Sequence, residues 1–176
     1  MANFYDVTEN MIWHEFCLAF SYNKRIRAYI DRRKKCNRYI NWAVIVISTV
    51  SALTYWKDTK LGAVLSAVAA VTLVAKELLP IFNQSETDLL ELSKSATFFS
   101  AYQTKMEQLF VKLRYEHYHP AFLESDFFKL KEEAAQHVTI TNEYYRGLPN
   151  KIEKRINTDL DNYVREIYPE SSETEL

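Results

Sequence analysis

From Tyr39 to Trp56 the chain runs eighteen residues without a charge, and only Lys57-Asp58-Thr59-Lys60 separates that run from a second uncharged stretch, Leu61 to Ala75. Eighteen helical residues rise about 27 Å, close to the thickness of a bilayer's hydrocarbon core. Lys76 and Glu77 follow, then Leu78 to Phe82, so Leu61–Phe82 is also long enough to cross with a charged pair near one end. Neither run has an amphipathic period, and a helix apolar all round is buried deeply or lies in lipid. Aromatics mark the ends of the first run: Tyr39 and Trp42 at one, Tyr55 and Trp56 at the other, as in interfacial belts. Two buried helices of a soluble bundle would give the same pattern, but a chain of 176 residues would need several further helices to wrap both. The sequence therefore predicts a transmembrane hairpin, with spans at about 39–56 and 61–82.

The first run abuts the densest positive stretch of the chain. Lys24, Arg25, Arg27, Arg32, Arg33, Lys34, Lys35 and Arg38 stand within 24–38 against a single acid, Asp31. Bases flanking a short span stay on the cytoplasmic side and set its orientation. The tip carries only Lys57 and Lys60, partly offset by Asp58. The expected topology is a multi-pass protein of the bacterial inner membrane, with both termini cytoplasmic and the tip outside. Bases beside an anionic leaflet also add about 1 kcal/mol of attraction each. Apolar positions Ile12, Phe16, Phe20, Ile26 and Ile30 recur at mostly helical spacing, so residues 1–38 read as a basic cytoplasmic helix that enters the first span.

Beyond the hairpin, 84–176 reads as a cytoplasmic helical region. Two glycines and four prolines in the whole chain leave little turn chemistry, which favours few long helices. Leu89, Leu92, Ala96, Phe99, Tyr102, Met106, Leu109 and Leu113 make a seam for a partner helix. A break near His119-Pro120 precedes a helix from about Phe122 to Arg146. Gly147-Leu148-Pro149 ends it, and Asn150 with Glu153 has capping-box spacing for a third helix. The acidic tail ESSETEL is expected to be disordered. The fold class is an all-α membrane protein.

Chemistry-bearing patterns are sparse. There is no Gly-rich phosphate loop, no G-x-S-x-G and no H-E-x-x-H. His117 and His119 are two apart, where same-face helical ligation needs three or four. His14 with Glu15, and His137 with Glu133, have nothing else converging on them. No enzyme, metal or cofactor is expected. Cys17 and Cys36 form no framework and fit a reducing compartment. The first 23 residues hold three acids and no base, the wrong start for a secretory signal.

Small residues in the spans are more telling. Gly62, Ser66 and Ala70 step by four, as do Ser48 and Ala52, a spacing that lets helix backbones approach in lipid. They pack within one hairpin or between protomers, and two helices make a pore only by oligomerising. Asn41, Ser48, Ser51 and Tyr55 lie near one face and are the polar residues a pore could use. Lys76 and Glu77 are candidates for a gate or for a snorkelling pair. The basic stretch 24–38, interleaved with Tyr22, Tyr29 and Tyr39, is a candidate surface for a nucleotide or oligonucleotide. Double-stranded DNA recognition is not expected.

The order MIWHEFCLAFSYNKRIRAYIDRRKK, CNRYINWAVIVISTVSALTYW, a short tip, LGAVLSAVAAVTLVAKELLPIF and the long helix ETDLLELSKSATFFSAYQTKMEQL resembles the SLATT family, the SMODS- and SLOG-associating two-transmembrane effectors. The likeness covers residues 11 to about 118. It implies a homo-oligomeric, ion-conducting pore of a bacterial antiphage system that disrupts the membrane of the infected cell. It further implies gating by a nucleotide signal from a partner nucleotidyltransferase. A passive two-span anchor whose cytoplasmic helices dock another protein is the alternative of a different class.

Overall fold

A computed structural model describes residues 4–55, 59–78, 86–116 and 119–168. They form five α-helices, with no strand among the described residues: α1 Phe4–Tyr55, α2 Thr59–Leu78, α3 Glu86–Arg114, α4 Pro120–Tyr144 and α5 Asn150–Ile167. The basic stretch and the first apolar run lie on one unbroken helix of 52 residues. No proline or glycine falls between Phe4 and Tyr55 to end it. The chain forms two compact units, Met1–Tyr29 with Leu90–Leu176, and Ile30–Leu89.

The first unit packs the start of α1 with α3, α4 and α5. Its contacts give the helix directions. Along α1, Trp13 meets Phe110 at 4.9 Å and Tyr22 meets Phe99 at 4.9 Å, so α3 runs antiparallel to it. Trp13 meets Tyr168 and Phe20 meets Tyr163, so α5 is antiparallel too. Glu15 pairs with Lys131 and Tyr29 meets Tyr145, so α4 runs parallel to α1. The core follows the sequence-read seams on α1 and α3, except that Leu89 at the start of the α3 seam is only half-buried. Ile12, Phe16, Phe20, Ile26 and Ile30 are buried on α1, the last just inside the second unit. On α3 Leu92, Ala96, Phe99, Tyr102, Met106, Leu109 and Leu113 are buried.

Two helix starts differ in their chemistry. His119 caps α4, its Nδ1 accepting from the Ala121 amide at 3.3 Å, and Pro120 takes the first helical position. The capping box expected at Asn150 does not form. The cap position is Pro149, which has no side-chain acceptor to offer. Its carbonyl instead accepts from the amides of Ile152 and Glu153 at 2.8 and 3.2 Å. Gly147 turns the chain between α4 and α5 at φ +87°, a conformation that L side chains rarely adopt.

Carboxylates tie the first unit together. Glu107 of α3 accepts from the hydroxyls of Tyr163 at 3.0 Å and Tyr168 at 2.9 Å. Glu15 accepts from Tyr102 at 3.2 Å and faces the Lys131 ammonium at 2.9 Å, while Arg114 donates to Glu9 at 3.2 Å. Burial first, then the hydrogen bond to Glu107 and its charge, push Tyr163 up to about 12. Tyr168 and Tyr102 are raised as well, chiefly by burial, then by Glu107 and Glu15 respectively. A group whose folded pKa is raised contributes stability below its unfolded pKa and loses it as pH climbs through the folded one. Stability is therefore expected to fall as pH rises from about 10 toward about 12. Glu107→Gln keeps an acceptor but removes the charge. In tyrosinate absorbance titrations it should move two of the late-titrating tyrosines toward lower pH, leaving Tyr102 late. An unchanged titration would break the assignment.

The second unit holds the end of α1 and α2. Among the described residues no helix is long and apolar enough to cross a membrane. Trp56 of the first expected span, and the side chains of 75–78 with all of 79–82 in the second, lie outside the described residues.

Candidate functional site

In the second unit α1 and α2 meet through hydroxyls. Ser51, 4% exposed, donates from Oγ to the Gly62 carbonyl at 2.8 Å. Its Oγ also lies 2.6 Å from Ser66 Oγ. A hydroxyl has one proton, so Ser66 must be the donor in that second contact. Gly62 and Ala69 are buried, consistent with the close approach that small residues allow. A groove of about 520 Å³ opens beside this contact, lined by Ser48, Ser51, Ala52, Ser66, Ala69, Ala70 and Leu73.

Three threonines of these helices turn their hydroxyls back on the backbone. Thr49 donates to the Ile45 carbonyl, Thr54 to Val50 and Thr72 to Val68, at 2.7–2.8 Å. Such i−4 bonds satisfy a hydroxyl without water or a partner chain. Many of the outward side chains are apolar, beside exposed Asn41, Ser48 and Ser66. Trp42, Ile45, Val46, Val50 and Leu53 on α1 are exposed, as are Leu61, Val64, Val68, Val71, Leu73 and Val74 on α2. Isolated exposed hydrophobics are ordinary; here eleven large ones fall within Trp42–Val74.

The basic residues divide between the two units. Lys24, Arg25 and Arg27 belong to the first. Lys24 sits over the Phe20 ring at 5.4 Å, and Arg27 donates from Nε to Asn23 Oδ1 at 2.6 Å. Arg32, Arg33, Lys34, Lys35 and Arg38 belong to the second. Lys34, Lys35 and Arg38 are exposed, Arg32 is half-buried and Arg33 is 6% exposed. They precede the apolar band directly, with Tyr39 and Trp42 exposed at the join.

Of the expected polar face, Ser48 and Ser51 line the groove and Asn41 is exposed. The side chains of Tyr55, Lys76 and Glu77 lie outside the described residues. The small-residue spacing pointed at Gly62 and Ser66, but not at the hydroxyl pair, because period alone does not show which serine faces which. His137 has a partner that sequence reasoning missed. Its Nδ1 lies 3.1 Å from Ser95 Oγ, and its ring stacks on Phe98 at 4.0 Å. Burial lowers its pKa, against a smaller upward pull from Glu91. Ser95 is 0% exposed while His137 is half-buried, so the hydroxyl side of this pair is closed to solvent. No family model, curated protein or solved structure matches the chain.

Proposed function

We propose that the second unit is a membrane-inserted hairpin that assembles with copies of itself into an ion-conducting pore. The observation that carries this reading is the outward apolar band on both helices, combined with hydroxyls bonded across the pair or back to the backbone. That is what a helix needs in lipid, where no water satisfies a polar group. The basic collar Lys34, Lys35 and Arg38, followed by Tyr39 and Trp42, supports a cytoplasmic N-terminus and an interfacial anchor at the join. One hairpin encloses no channel, so conduction requires several copies. The groove at Ser48 and Ser51 supplies polar residues for a shared lining.

The resemblance to SLATT effectors supplies the biological setting: membrane disruption in antiphage defence, gated by an anionic nucleotide on the cytoplasmic side. Planar-bilayer conductance of the purified protein, with and without cyclic and linear oligonucleotides, tests this. Discrete currents that a nucleotide switches are expected, and Ser48→Leu should change their amplitude. Silence from folded, inserted protein under every condition would replace the pore with a passive anchor.

A further inference from the structure

In the first unit a cavity of about 500 Å³ opens between α1, α3 and α5, a size that suits a small molecule. Part of its wall is aromatic. Phe20 and Tyr163 line it with their rings 5.4 Å apart, and the Tyr163 hydroxyl is tied to Glu107. Asn23 lines it too, although the residue is only 8% exposed. Its Oδ1 accepts from Arg27 Nε at 2.6 Å. A guanidinium only donates, so the atom left over is the amide nitrogen, a donor. That nitrogen has no hydrogen-bond partner among the described residues, and it is not sealed from solvent. A donor on so buried a side chain is costly to leave unmet, and the cavity is where an acceptor can reach it.

The rest of the lining narrows what brings that acceptor. Gln103 of α3 and Asn162 of α5 add two carboxamides, each both donor and acceptor. Asp159 and Glu166, exposed on α5, only accept when ionised. None of these four side chains forms a hydrogen bond or ion pair among the described residues. Lys24, over the Phe20 ring at 5.4 Å, is the one base among the described lining residues, against two acids, so a free anion is disfavoured. A flat ring suits the aromatic wall. Donors and acceptors on that ring's edge suit the carboxamides, as when Asn or Gln reads adenine. Hydroxyls suit the acids, which hold ribose in the same way in dinucleotide sites. We propose that this cavity binds a nucleoside, with its base against Phe20 and Tyr163, Asn23 donating to the base, and Asp159 and Glu166 accepting from the sugar. It deepens the proposed nucleotide signal, and rests on that reading only for the natural source of the nucleoside; the site itself is argued from the cavity and the Asn23 donor.

The test is calorimetric titration of full-length protein in nanodiscs with adenosine, guanosine, cytidine and uridine, and with ribose and inorganic phosphate as separate arms. At least one nucleoside is expected to bind, with ribose alone and phosphate alone at least about tenfold weaker. Asn23→Asp keeps the shape of the side chain and an oxygen for Arg27, but turns the free donor into an acceptor. It should stay folded by circular dichroism and bind the nucleoside about tenfold more weakly or worse. Asp159→Asn and Glu166→Gln change exposed side chains and leave the packing alone, so they carry the test even if Asn23→Asp fails to fold. Each should weaken binding by about tenfold, while Lys34→Gln, outside the cavity, keeps it. A folded parent that binds none of the four nucleosides, or that binds ribose or phosphate as tightly as any of them, overturns the proposal. So does full binding by folded Asn23→Asp, or by both α5 variants, which would leave water as the partner of the Asn23 nitrogen. No current is read, so failure here and silence in the bilayer are separate results.

Discussion

Val46→Arg and Val68→Arg are each expected to release most of the protein from the membrane fraction. Both positions are exposed, 54% on α1 and 46% on α2. If that exposure were to water, a new arginine would change stability by no more than about 0.5 kcal/mol. If it is to lipid, an arginine near the middle of a span costs about 2.5–3.5 kcal/mol. That corresponds to about a hundredfold in the insertion equilibrium. Val7→Arg is the control: Val7 is 45% exposed on the same helix but in the first unit. Carbonate extraction of membranes reads the difference. Release by the two hairpin variants with retention of Val7→Arg upholds the inserted hairpin. Equal behaviour of all three would mean that the apolar band is covered by protein rather than lipid.

The fold of the first unit was legible because its helices are amphipathic. The seam from Leu92 to Leu113 on α3 and the Ile12–Ile26 face of α1 follow one period, and the structure buries both. Period says which face is inward, but not what it meets. Glu107 with its two tyrosines, and Ser95 with His137, join residues 42 to 61 positions apart, and no local pattern encodes that pairing. The capping box failed for a local reason: Pro149 takes the cap position, leaving Asn150 inside the first turn. The lack of charge between Tyr39 and Trp56 pointed to a membrane-spanning hairpin; the structure shows α1 and α2 meeting, while among the described residues no helix is long and apolar enough to cross a membrane. Their hydroxyl contact was not legible, since Ser48, Ser51 and Tyr55 read equally well as a lining. The eight bases form one cluster in sequence; in the structure they differ in burial, from the exposed Lys34 and Lys35 to Arg33 at 6%.

Phe16→Ala should be the most damaging single change in the first unit, lowering its stability by about 3–5 kcal/mol. Phe16 is 1% exposed. Its ring stacks on Trp13 at 5.3 Å and meets Tyr163 at 6.0 Å, so it joins α1 to α5 and supports Trp13, which in turn touches Phe110 of α3. Truncation removes a packed ring and leaves a cavity that three helices must close. A domain typically has only about 5–15 kcal/mol in total, so such a loss is a large part of it. Phe16→Leu, which keeps most of the volume, should cost clearly less. Denaturant unfolding followed by Trp13 fluorescence, in a background with Trp42 and Trp56 changed to Phe, measures both. Equal costs for Ala and Leu would show that volume at this position is not what holds the helices together. A cost below about 1 kcal/mol for Ala would place Phe16 outside a packed core altogether. The size of the Ala effect also bears on α5. Its hold on the rest of the unit runs through Tyr163 and Tyr168, whose rings pack on Phe16, Phe20, Trp13 and Phe110 and whose hydroxyls share Glu107. Loss of the Phe16 ring should therefore loosen both hydroxyl contacts, and Phe16→Ala combined with Glu107→Ala should cost less than the sum of the two alone.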